Sequence, residues 1–388
     1  MTAVAVFFGG RSVEHEVSVI TAQQVMAALP PSRFRVVPVY IAKDGAWHIG
    51  EQLRELARFN DINRLLQATQ RVALLPVPGD IGRLVDASGG RGLLARARTM
   101  ANFDVAMPLV HGSHGEDGTL QGLFELSDVA YTGCGVAAAA LSMDKPLAKA
   151  AMRAAGLPVL PDIDVDREHW RAGKEAVCAS VEAQLDYPVY VKPRGVGSSI
   201  GVSRAATRDQ LSEALDLAMA YDVRALVEQS QENIVEINCA VLGRAGAVRV
   251  SVCEQPASSG MLSYSDKYLS KGAGKSAGMK GAQRVIPAPL PEALTRRIQD
   301  AAASAFAAID AEGVARVDFL VRPDEGEFIV NEINTVPGSL SFYLWEQSGL
   351  PFGDLLGELV DLGLRRHAEK RATTFSIDTW LLSGSPPR

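Results

Sequence analysis

The segments that decide the fold are RVDF at residues 316–319 and NEIN at residues 331–334, each within an apolar run typical of a strand. Side chains alternate along a strand, so Glu332 and Asn334 point to one face while the residue between them points to the other. Asp318 on a neighbouring strand adds a third oxygen donor, and oxygen is the donor type that Mg²⁺ prefers. The spacing predicts a magnesium site; two exposed strands with polar outer faces are the alternative.

The chain around these segments, residues 227–388, predicts a domain with a largely antiparallel sheet, because four apolar runs cluster there. The predicted strands are Val235–Leu242, Ala247–Glu254, Val314–Val321 and Glu327–Ile333. Between the second and third strands lies the segment 258–281, which is rich in Gly, Ser and Lys. Because it is too long for an ordinary loop, we interpret it as a functional lid; a disordered loop is the alternative.

Two further domains are predicted upstream. Residues 1–140 alternate apolar runs with helical patterns, which indicates a doubly wound parallel sheet. The weaker pattern between residues 50 and 100 is interpreted as an elaboration of that domain. A continuous Ala- and Leu-rich helical pattern at 137–155 leads into a small central α+β unit, residues 141–226. The predicted fold class is therefore α/β combined with α+β.

The composition argues against several classes of protein. The chain has 388 residues, 47 % hydrophobic and 22 % charged, as in a globular protein of two or three domains. A net charge of -6 without a long basic block argues against nucleic acid as a partner. The four cysteines form no CxxC pair, which argues against a zinc site or redox dithiol and favours a cytoplasmic location. No leader pattern and no long apolar run is seen, so a membrane span is not expected.

A Gly-rich turn follows a predicted strand in VKPRGVGSSIG at residues 191–201. Glycines let the backbone approach a phosphate and expose N–H donors, and Lys192 at the strand end adds positive charge. The sequence GxxxxGK[ST] does not occur, which excludes an ordinary P-loop. The pattern predicts a phosphate-binding turn; a Gly-rich hairpin without a ligand is the alternative.

Two N-terminal motifs each join a strand to a helix through a Gly-rich turn: FGGRSVEHEVS at 8–18 and HGSHGEDGTLQG at 111–122. A helix that begins at the end of a parallel strand is a common ligand position. The first motif lacks the GxGxxG spacing of nicotinamide sites, and its Glu14 and Glu16 could instead favour the helix dipole. The second has two histidines but no closing zinc pair, and we interpret it as part of a substrate pocket.

Together these motifs resemble the D-alanine:D-alanine ligases of the ATP-grasp superfamily over roughly residues 3–365. The matching motifs are FGGRSVEHEVS, HGSHGEDGTLQG, YTGCGV, LSMDK, VKPRGVGSSIG, DKY, RVDF and NEINTVPGS. The resemblance implies an ATP-grasp fold with the nucleotide between the central unit and the C-terminal sheet. It also implies two steps: the carboxylate of one amino acid attacks the γ-phosphate of ATP, and the amine of a second then displaces phosphate from the acyl phosphate.

The resemblance further implies roles for individual residues. The side chains that would contact ATP are Lys145, Lys192, Glu228, Glu236 and Lys267. Two Mg²⁺ or Mn²⁺ ions would be held by Asp318, Glu332 and Asn334. The reacting groups would be bound or stabilised by Glu14, Ser198, Tyr268, Arg316 and the backbone at Gly338. His111 would lie near the carboxylate of the first substrate.

Three places depart from the family pattern. The lid after DKY at residues 266–268 is longer and richer in Gly than the family pattern. Arg194 stands one position early, so it could contact phosphate or brace the turn. Tyr343 and Leu344 replace a Ser-Leu pair that usually helps to hold the carboxylate of the second D-alanine. The expected activity is D-alanyl-D-alanine formation for peptidoglycan synthesis by a protein that is a homodimer by analogy, and Tyr268 in the lid favours an amino-acid acceptor. A ligase for D-serine, D-lactate or a specialised amine remains open, as do an inactive nucleotide-binding regulator and a Rossmann oxidoreductase.

Overall fold

The computed structural model describes residues 1–79, 81–88, 98–244, 246–256, 284–377 and 379. The predicted lid at 258–281, with Lys267 and Tyr268, lies outside these residues. Three sheets, of eight, four and five strands, organise the described chain.

The first sheet has a parallel core that is extended on one side by antiparallel strands. The parallel strands, in spatial order, are β2 (Phe34–Ile41), β1 (Thr2–Gly9), β7 (Val105–Pro108) and β8 (Ala130–Tyr131). The antiparallel strands that continue from β2 are β3 (Trp47–Ile49), β4 (Gln70–Leu74), β5 (Gly82–Asp86) and β6 (Thr99–Phe103). The helices here are α1 (His15–Ala28), α2 (Ile62–Gln67) and α3 (Thr119–Leu126). The parallel sheet is confirmed in its core, and the weakly patterned segment adds antiparallel strands to it.

The helical pattern at 137–155 is two helices, not the single helix that the sequence predicts. These are α4 (Val136–Met143) and α5 (Lys145–Ala154), and the residue between them, Asp144, is extended. The Asp144 side chain accepts a hydrogen bond from the Leu147 N–H at 3.1 Å. The break is therefore an N-cap, which satisfies a donor that the first turn of a helix leaves unpaired. It places Lys145 at the first position of α5.

The central unit is built on a wholly antiparallel sheet. Its strands, in spatial order, are β11 (Ser203–Ala205), β10 (Val189–Pro193), β12 (Arg224–Gln229) and β9 (Asp162–Asp166). Its helices are α6 (Arg167–Ala172), α7 (Lys174–Glu182) and α8 (Arg208–Tyr221). Tyr190 lies opposite Glu228 in the β10–β12 register. Since side chains alternate, Lys192 shares a face with Glu228.

The third sheet is also antiparallel, as predicted. Its strands, in spatial order, are β15 (Arg284–Val285), β14 (Ala247–Pro256), β13 (Val235–Arg244), β16 (Glu312–Arg322) and β17 (Glu327–Asn334). The helix α9 (Glu292–Ala308) lies between β15 and β16 in the chain. The helices α10 (Phe342–Gln347) and α11 (Phe352–Arg371) follow β17. Ile298 and Phe306 of α9 pack against one face of the sheet. On that face Cys239 and Cys253 are cross-strand partners, and both are buried thiols.

The C-terminal helix α11 joins the third sheet to the first. Leu355 and Leu359 of α11 share one buried apolar cluster with Met107 of β7. The Arg366 guanidinium donates to the Gly133 carbonyl at 2.6 Å and to the Tyr131 carbonyl at 2.8 Å. The N-terminal and C-terminal parts thus share a core, while the central unit has its own. In the described part of the chain, no helix is long and apolar enough to span a bilayer.

Candidate active site

A row of polar side chains crosses the face of the third sheet that α9 leaves uncovered. Glu254, Asn238, Asp318 and Glu332 are successive cross-strand partners on β14, β13, β16 and β17. Directly opposite residues share a face, and neighbouring strands lie about 4.8 Å apart, so the row is roughly 14 Å long. We call these four residues the polar row.

At the β16–β17 end of the polar row, the buried carboxylate of Asp318 is paired with an arginine. Asp318 is 1 % exposed. The Arg316 guanidinium donates to its two oxygens at 2.6 and 2.7 Å, and the Asn334 amide donates at 3.1 Å. Glu332 and Asn334 are partly exposed while Ile333 is buried, which confirms the predicted alternation.

These side chains form an oxygen-donor set that fits Mg²⁺. Asp318 and Glu332 face each other across the strand pair, beside a β-bulge at Asn331, and bulges are common next to active sites. Within the described ranges, no group of three or more His, Cys, Asp or Glu side chains is arranged to hold a metal ion. Magnesium rarely needs such a group, because it usually takes one or two carboxylates and completes its shell with water and phosphate oxygens.

Three buried charges, Lys149 on α5 and Lys192 and Glu228 on the central unit, form a cluster next to this end. Each oxygen of Glu228 forms an ion pair, one with Lys149 and the other with Lys192. Burial would raise the pKa of Glu228, but the two ammonium groups lower it to about 2. The Lys192 ammonium also lies 3.4 Å from the Asn331 side-chain oxygen on β17. The lysine therefore connects the central unit to the metal-fitting residues.

The Gly-rich turn after β10 is held by Lys145 and Arg194. The Lys145 ammonium donates to the Val196 carbonyl at 2.7 Å, and burial lowers the pKa of Lys145. The Arg194 guanidinium donates to Asp144 and to Asp164, both at 2.7 Å. Arg194 could contact phosphate or hold the turn in place, and these two ion pairs are the contacts expected if it holds the turn.

Glu14 is the point where three segments of the chain meet. The Ser198 hydroxyl donates to Glu14 Oε1. A Cβ atom on Gly112 would lie 2.6 Å from Glu14 Oε2, and one on Gly197 would lie 2.8 Å from it. A side chain at either position would have to displace the Glu14 carboxylate, so the glycines of both motifs leave room for it. The predicted pair of Glu14 and Ser198 is brought together.

The carboxyl group of Glu116 and the imidazole of His111 lie close by. Glu116 accepts hydrogen bonds from the Gly112 N–H at 2.7 Å and the Val336 N–H at 3.2 Å. Burial, assisted by Glu14, raises the pKa of Glu116 to about 8. Burial lowers the pKa of His111 to about 4, and its Nε2 lies 3.1 Å from the Thr21 hydroxyl. Burial thus disfavours the charged form of both groups beside Glu14.

Gly338 begins the turn that leads from β17 to α10. Residues 338–341 form a 3-10 turn, in which Ser339, Leu340 and Ser341 all have φ near +50°. Such left-handed conformations are strained for residues with a Cβ, and they concentrate at functional sites. The Ser339 N–H donates to the Thr21 hydroxyl at 3.2 Å. Through Thr21 this turn is connected to His111.

At the β14 end of the polar row, Glu254 organises a second cluster. The Tyr343 hydroxyl donates to Glu254 Oε1 at 2.7 Å, and the Arg284 guanidinium donates to Oε2 at 3.1 Å. The guanidinium also stacks over the Tyr343 ring, 4.0 Å from its centroid. Leu344 is fully buried in the apolar core. Of the predicted Tyr343–Leu344 pair, only Tyr343 therefore presents its side chain to the polar row.

The other predicted ATP residue on the third sheet is Glu236, which lies on β13 two positions before Asn238 and so shares its face. Residues with contacts in the site to which the sequence analysis gave no role include Lys149, Glu116, Asn238, Glu254 and Arg284. Lys149 follows Lys145 by one helical turn, and this i, i+4 spacing was a usable signal. Glu116 belongs to the motif at 111–122 but was given no role of its own, and Asn238, Glu254 and Arg284 are found only from the sheet register.

An antiparallel sheet with a set of oxygen donors, faced by a small unit that carries a buried lysine and a Gly-rich turn, is the arrangement of an ATP-dependent ligase of the ATP-grasp class. Family models described as D-ala D-ala ligase N-terminus and C-terminus match residues 3–134 and 151–361. The D-alanine–D-alanine ligase of Heliobacterium modesticaldum is 40 % identical over 376 residues, 95 % of this chain and 96 % of that one. The chain belongs to the D-alanine–D-alanine ligase family.

Two solved structures are similar over nearly the whole chain. The D-alanine-D-alanine ligase from Coxiella burnetii has a TM-score of 0.76 and 29 % identity, covering 96 % of this chain and 97 % of that one. The VanG D-Ala:D-Ser ligase from Enterococcus faecalis has a TM-score of 0.76 and 30 % identity, covering 93 % and 99 %. The fold is therefore shared by relatives that are named for two different products.

Proposed function

We propose that this protein uses ATP to join two D-alanine molecules, giving D-alanyl-D-alanine for peptidoglycan synthesis. The observation that carries the proposal is that oxygen donors and buried lysines meet at the β16–β17 end of the polar row, which we call the phosphate end. Both family models match the chain. A cytoplasmic location and a homodimeric assembly, which the family suggests, are part of the same proposal.

In this proposal Asp318, Glu332 and Asn334 hold two Mg²⁺ or Mn²⁺ ions, which would neutralise phosphate charge during transfer. Lys145 and Lys192 contact the phosphates of ATP. Phosphoryl transfer requires little covalent chemistry from the protein but much positioned positive charge, so lysines at this end suit the reaction. Glu228, which is fixed between its two lysines, lies near the adenine. Glu236 binds the ribose hydroxyls.

The first D-alanine would lie between Glu14 and the phosphate end. Glu14 binds its ammonium group, and Ser198 orients the Glu14 carboxylate. The D-alanine carboxylate, placed near His111, attacks the γ-phosphorus, which forms the acyl phosphate and releases ADP. The amine of the second D-alanine then attacks the acyl carbon, and phosphate leaves. Arg316 and the backbone N–H at Gly338 stabilise the negative charge that develops on oxygen in that step.

An acyl phosphate is hydrolysed by water, so the reaction requires a cover over the site. We propose that segment 258–281 is that cover. In this assignment Lys267 contacts ATP, and Tyr268 joins the hydrogen-bonded pair of Glu14 and Ser198.

A ligase that makes D-alanyl-D-serine is the second candidate. It is supported by the similarity to the VanG structure and by Tyr343, which stands where the family usually has serine. The two candidates share the ATP chemistry and differ only in the acceptor.

The experiment is a phosphate-release assay on the purified protein with ATP, Mg²⁺ and D-alanine, run in parallel with L-alanine and with D-alanine plus D-serine or D-lactate. We expect phosphate release with D-alanine alone, in step with dipeptide detected by mass spectrometry, and no release when Mg²⁺ is chelated. Turnover only when D-serine or D-lactate is added would contradict the D-alanine acceptor. No turnover with any acceptor would contradict the ligase activity itself.

A further inference from the structure

The β14 end of the polar row contains a buried charge cluster that the ATP chemistry does not use. Glu254 is 2 % exposed, and the Arg284 side chain is 11 % exposed. Burying a carboxylate is unfavourable unless it is paired and hydrogen-bonded. Glu254 satisfies this condition with Arg284 and Tyr343. The cluster is therefore held in one arrangement before any substrate binds.

The position of this cluster points to the acceptor. Glu254 is two strands away from Asp318 along the polar row, a separation of about 10 Å. Asn238 lies between them, and its side-chain amide can turn either way. In one orientation its NH₂ group lies 3.3 Å from Glu254 Oε1. In the other it lies 3.2 Å from Asp318 Oδ1. An amino acid placed over Asn238 would therefore lie between Arg316, the partner of Asp318, and Arg284, the partner of Glu254.

The geometry of Arg284 suits a carboxylate. A guanidinium is planar and presents five N–H donors in a fixed fork, which matches the two oxygens of a carboxylate. Stacking on the Tyr343 ring and pairing with Glu254 fix the plane of that fork. A preorganised fork loses less conformational entropy when it binds a ligand. Arg284 could thus supply the function of the Ser-Leu pair that this chain lacks.

We propose that Arg284 binds the carboxylate of the acceptor amino acid, and that Glu254 and Tyr343 are positioning residues that fix its guanidinium. This inference rests on the proposed ligase activity and adds a specificity residue to it. It predicts that acceptors are recognised by their carboxylate, so an acceptor amide is a poor substrate.

The test offers ATP, Mg²⁺ and D-alanine together with D-alaninamide, and measures the ratio of D-alanyl-D-alanine to D-alanyl-D-alaninamide by mass spectrometry. The wild-type protein should strongly favour the free acid. Arg284→Gln should lower this preference roughly a hundredfold, since a hydrogen bond between charged groups contributes about 1.5–3 kcal/mol. The apparent KM for ATP should stay within about twofold of wild type. A purely structural role for Arg284 would not change the ratio of the two products.

Two further variants complete the test. Arg249→Gln is the matched control, because Arg249 is an exposed arginine of β14 that pairs with Glu358; it should leave the ratio unchanged. Arg284→Lys keeps the charge beside Glu254 but loses the fork, so it decides the question if Arg284→Gln does not fold. It should raise the acceptor KM roughly tenfold.

The outcomes separate the inference from the function on which it rests. A wild-type protein that makes no dipeptide refutes the ligase proposal. A wild-type protein that makes dipeptide, with an unchanged product ratio in Arg284→Gln or an unchanged acceptor KM in Arg284→Lys, refutes only the role of Arg284.

Discussion

The two ends of the polar row hold their charges in different ways. At the phosphate end, Asp318 is paired with Arg316, and Lys192 approaches from the central unit with a second carboxylate of its own, Glu228. At the β14 end, which we call the acceptor end, the single carboxylate of Glu254 accepts hydrogen bonds from the Arg284 guanidinium and the Tyr343 hydroxyl. An end rich in cations suits a polyphosphate, whereas a compact mixed cluster suits one small zwitterion. Damage at the two ends should therefore have different consequences.

The largest effect is expected at Glu228. Glu228→Gln leaves Lys149 and Lys192 buried without their anion, and breaking a buried pair in this way typically lowers the free energy of unfolding by about 3–5 kcal/mol. Urea denaturation measures the change. Glu358→Gln, which removes the partner of the exposed Arg249, should lower the free energy of unfolding by less than about 1 kcal/mol. Equal losses in the two variants would show that the Glu228 cluster contributes no more than a surface pair.

Glu332→Gln should reduce activity while leaving stability unchanged. The substitution neutralises one carboxylate of the metal-fitting set, and losing one electrostatic contact to a transition state reduces kcat about a hundredfold to a thousandfold. Glu332 is partly exposed, so its loss disturbs little packing. Steady-state phosphate release and thermal unfolding, measured on the same preparation, check both halves of this prediction. A near-normal kcat would remove Glu332 from the metal site.

The free energy of unfolding should depend on pH through His111, the residue proposed to lie near the carboxylate of the first D-alanine. The pKa of His111 is lowered from 6.5 to about 4, so between these values the unfolded chain binds a proton that the folded chain does not. The free energy of unfolding should therefore fall as pH falls from 6.5 towards 4, by roughly 1–3 kcal/mol. His111→Gln should flatten this part of the urea-derived stability profile. His114→Gln, at an exposed histidine of the same motif, should leave the profile as it is; a profile that is equally steep in both variants would contradict the assignment.

The smallest effect is expected from Tyr343→Phe. The ring that supports Arg284 remains, and only the hydrogen bond to Glu254 is lost, so we expect about a tenfold rise in the acceptor KM. The KM for ATP should not change, because the phosphate end is untouched. A rise in the KM for ATP of the same size would show that the two ends are not separate.

The phosphate end could be predicted from the sequence because its signals are local. Strand alternation alone puts Glu332 and Asn334 on one face, and the Gly-rich turn begins beside Lys192. The acceptor end could not, because Glu254 contacts a side chain 30 residues away and another 89 residues away. These contacts depend on strand register, which a single sequence does not specify unless a pattern marks it.

The fold, like the site, was predictable where the sequence signal is local and not where it depends on tertiary contacts. The parallel core of the first sheet was predicted because strands and helices alternate there. The break at Asp144 was missed, because the Ala-rich pattern continues through it and the cap is one side chain. Arg194 was left between two roles, and its pairing with Asp144 and Asp164 became visible only when the central sheet brought those residues together.

The central claim is that the phosphate end provides the ATP chemistry and that the acceptor end selects a second D-alanine. It is tested most directly by mass spectrometry of the products that the wild-type protein makes from ATP, Mg²⁺ and equal concentrations of D-alanine, D-serine and D-lactate. We predict D-alanyl-D-alanine as the main product, with one phosphate released for each molecule formed. A main product that contains D-serine or D-lactate, or phosphate release without any dipeptide, would contradict the claim.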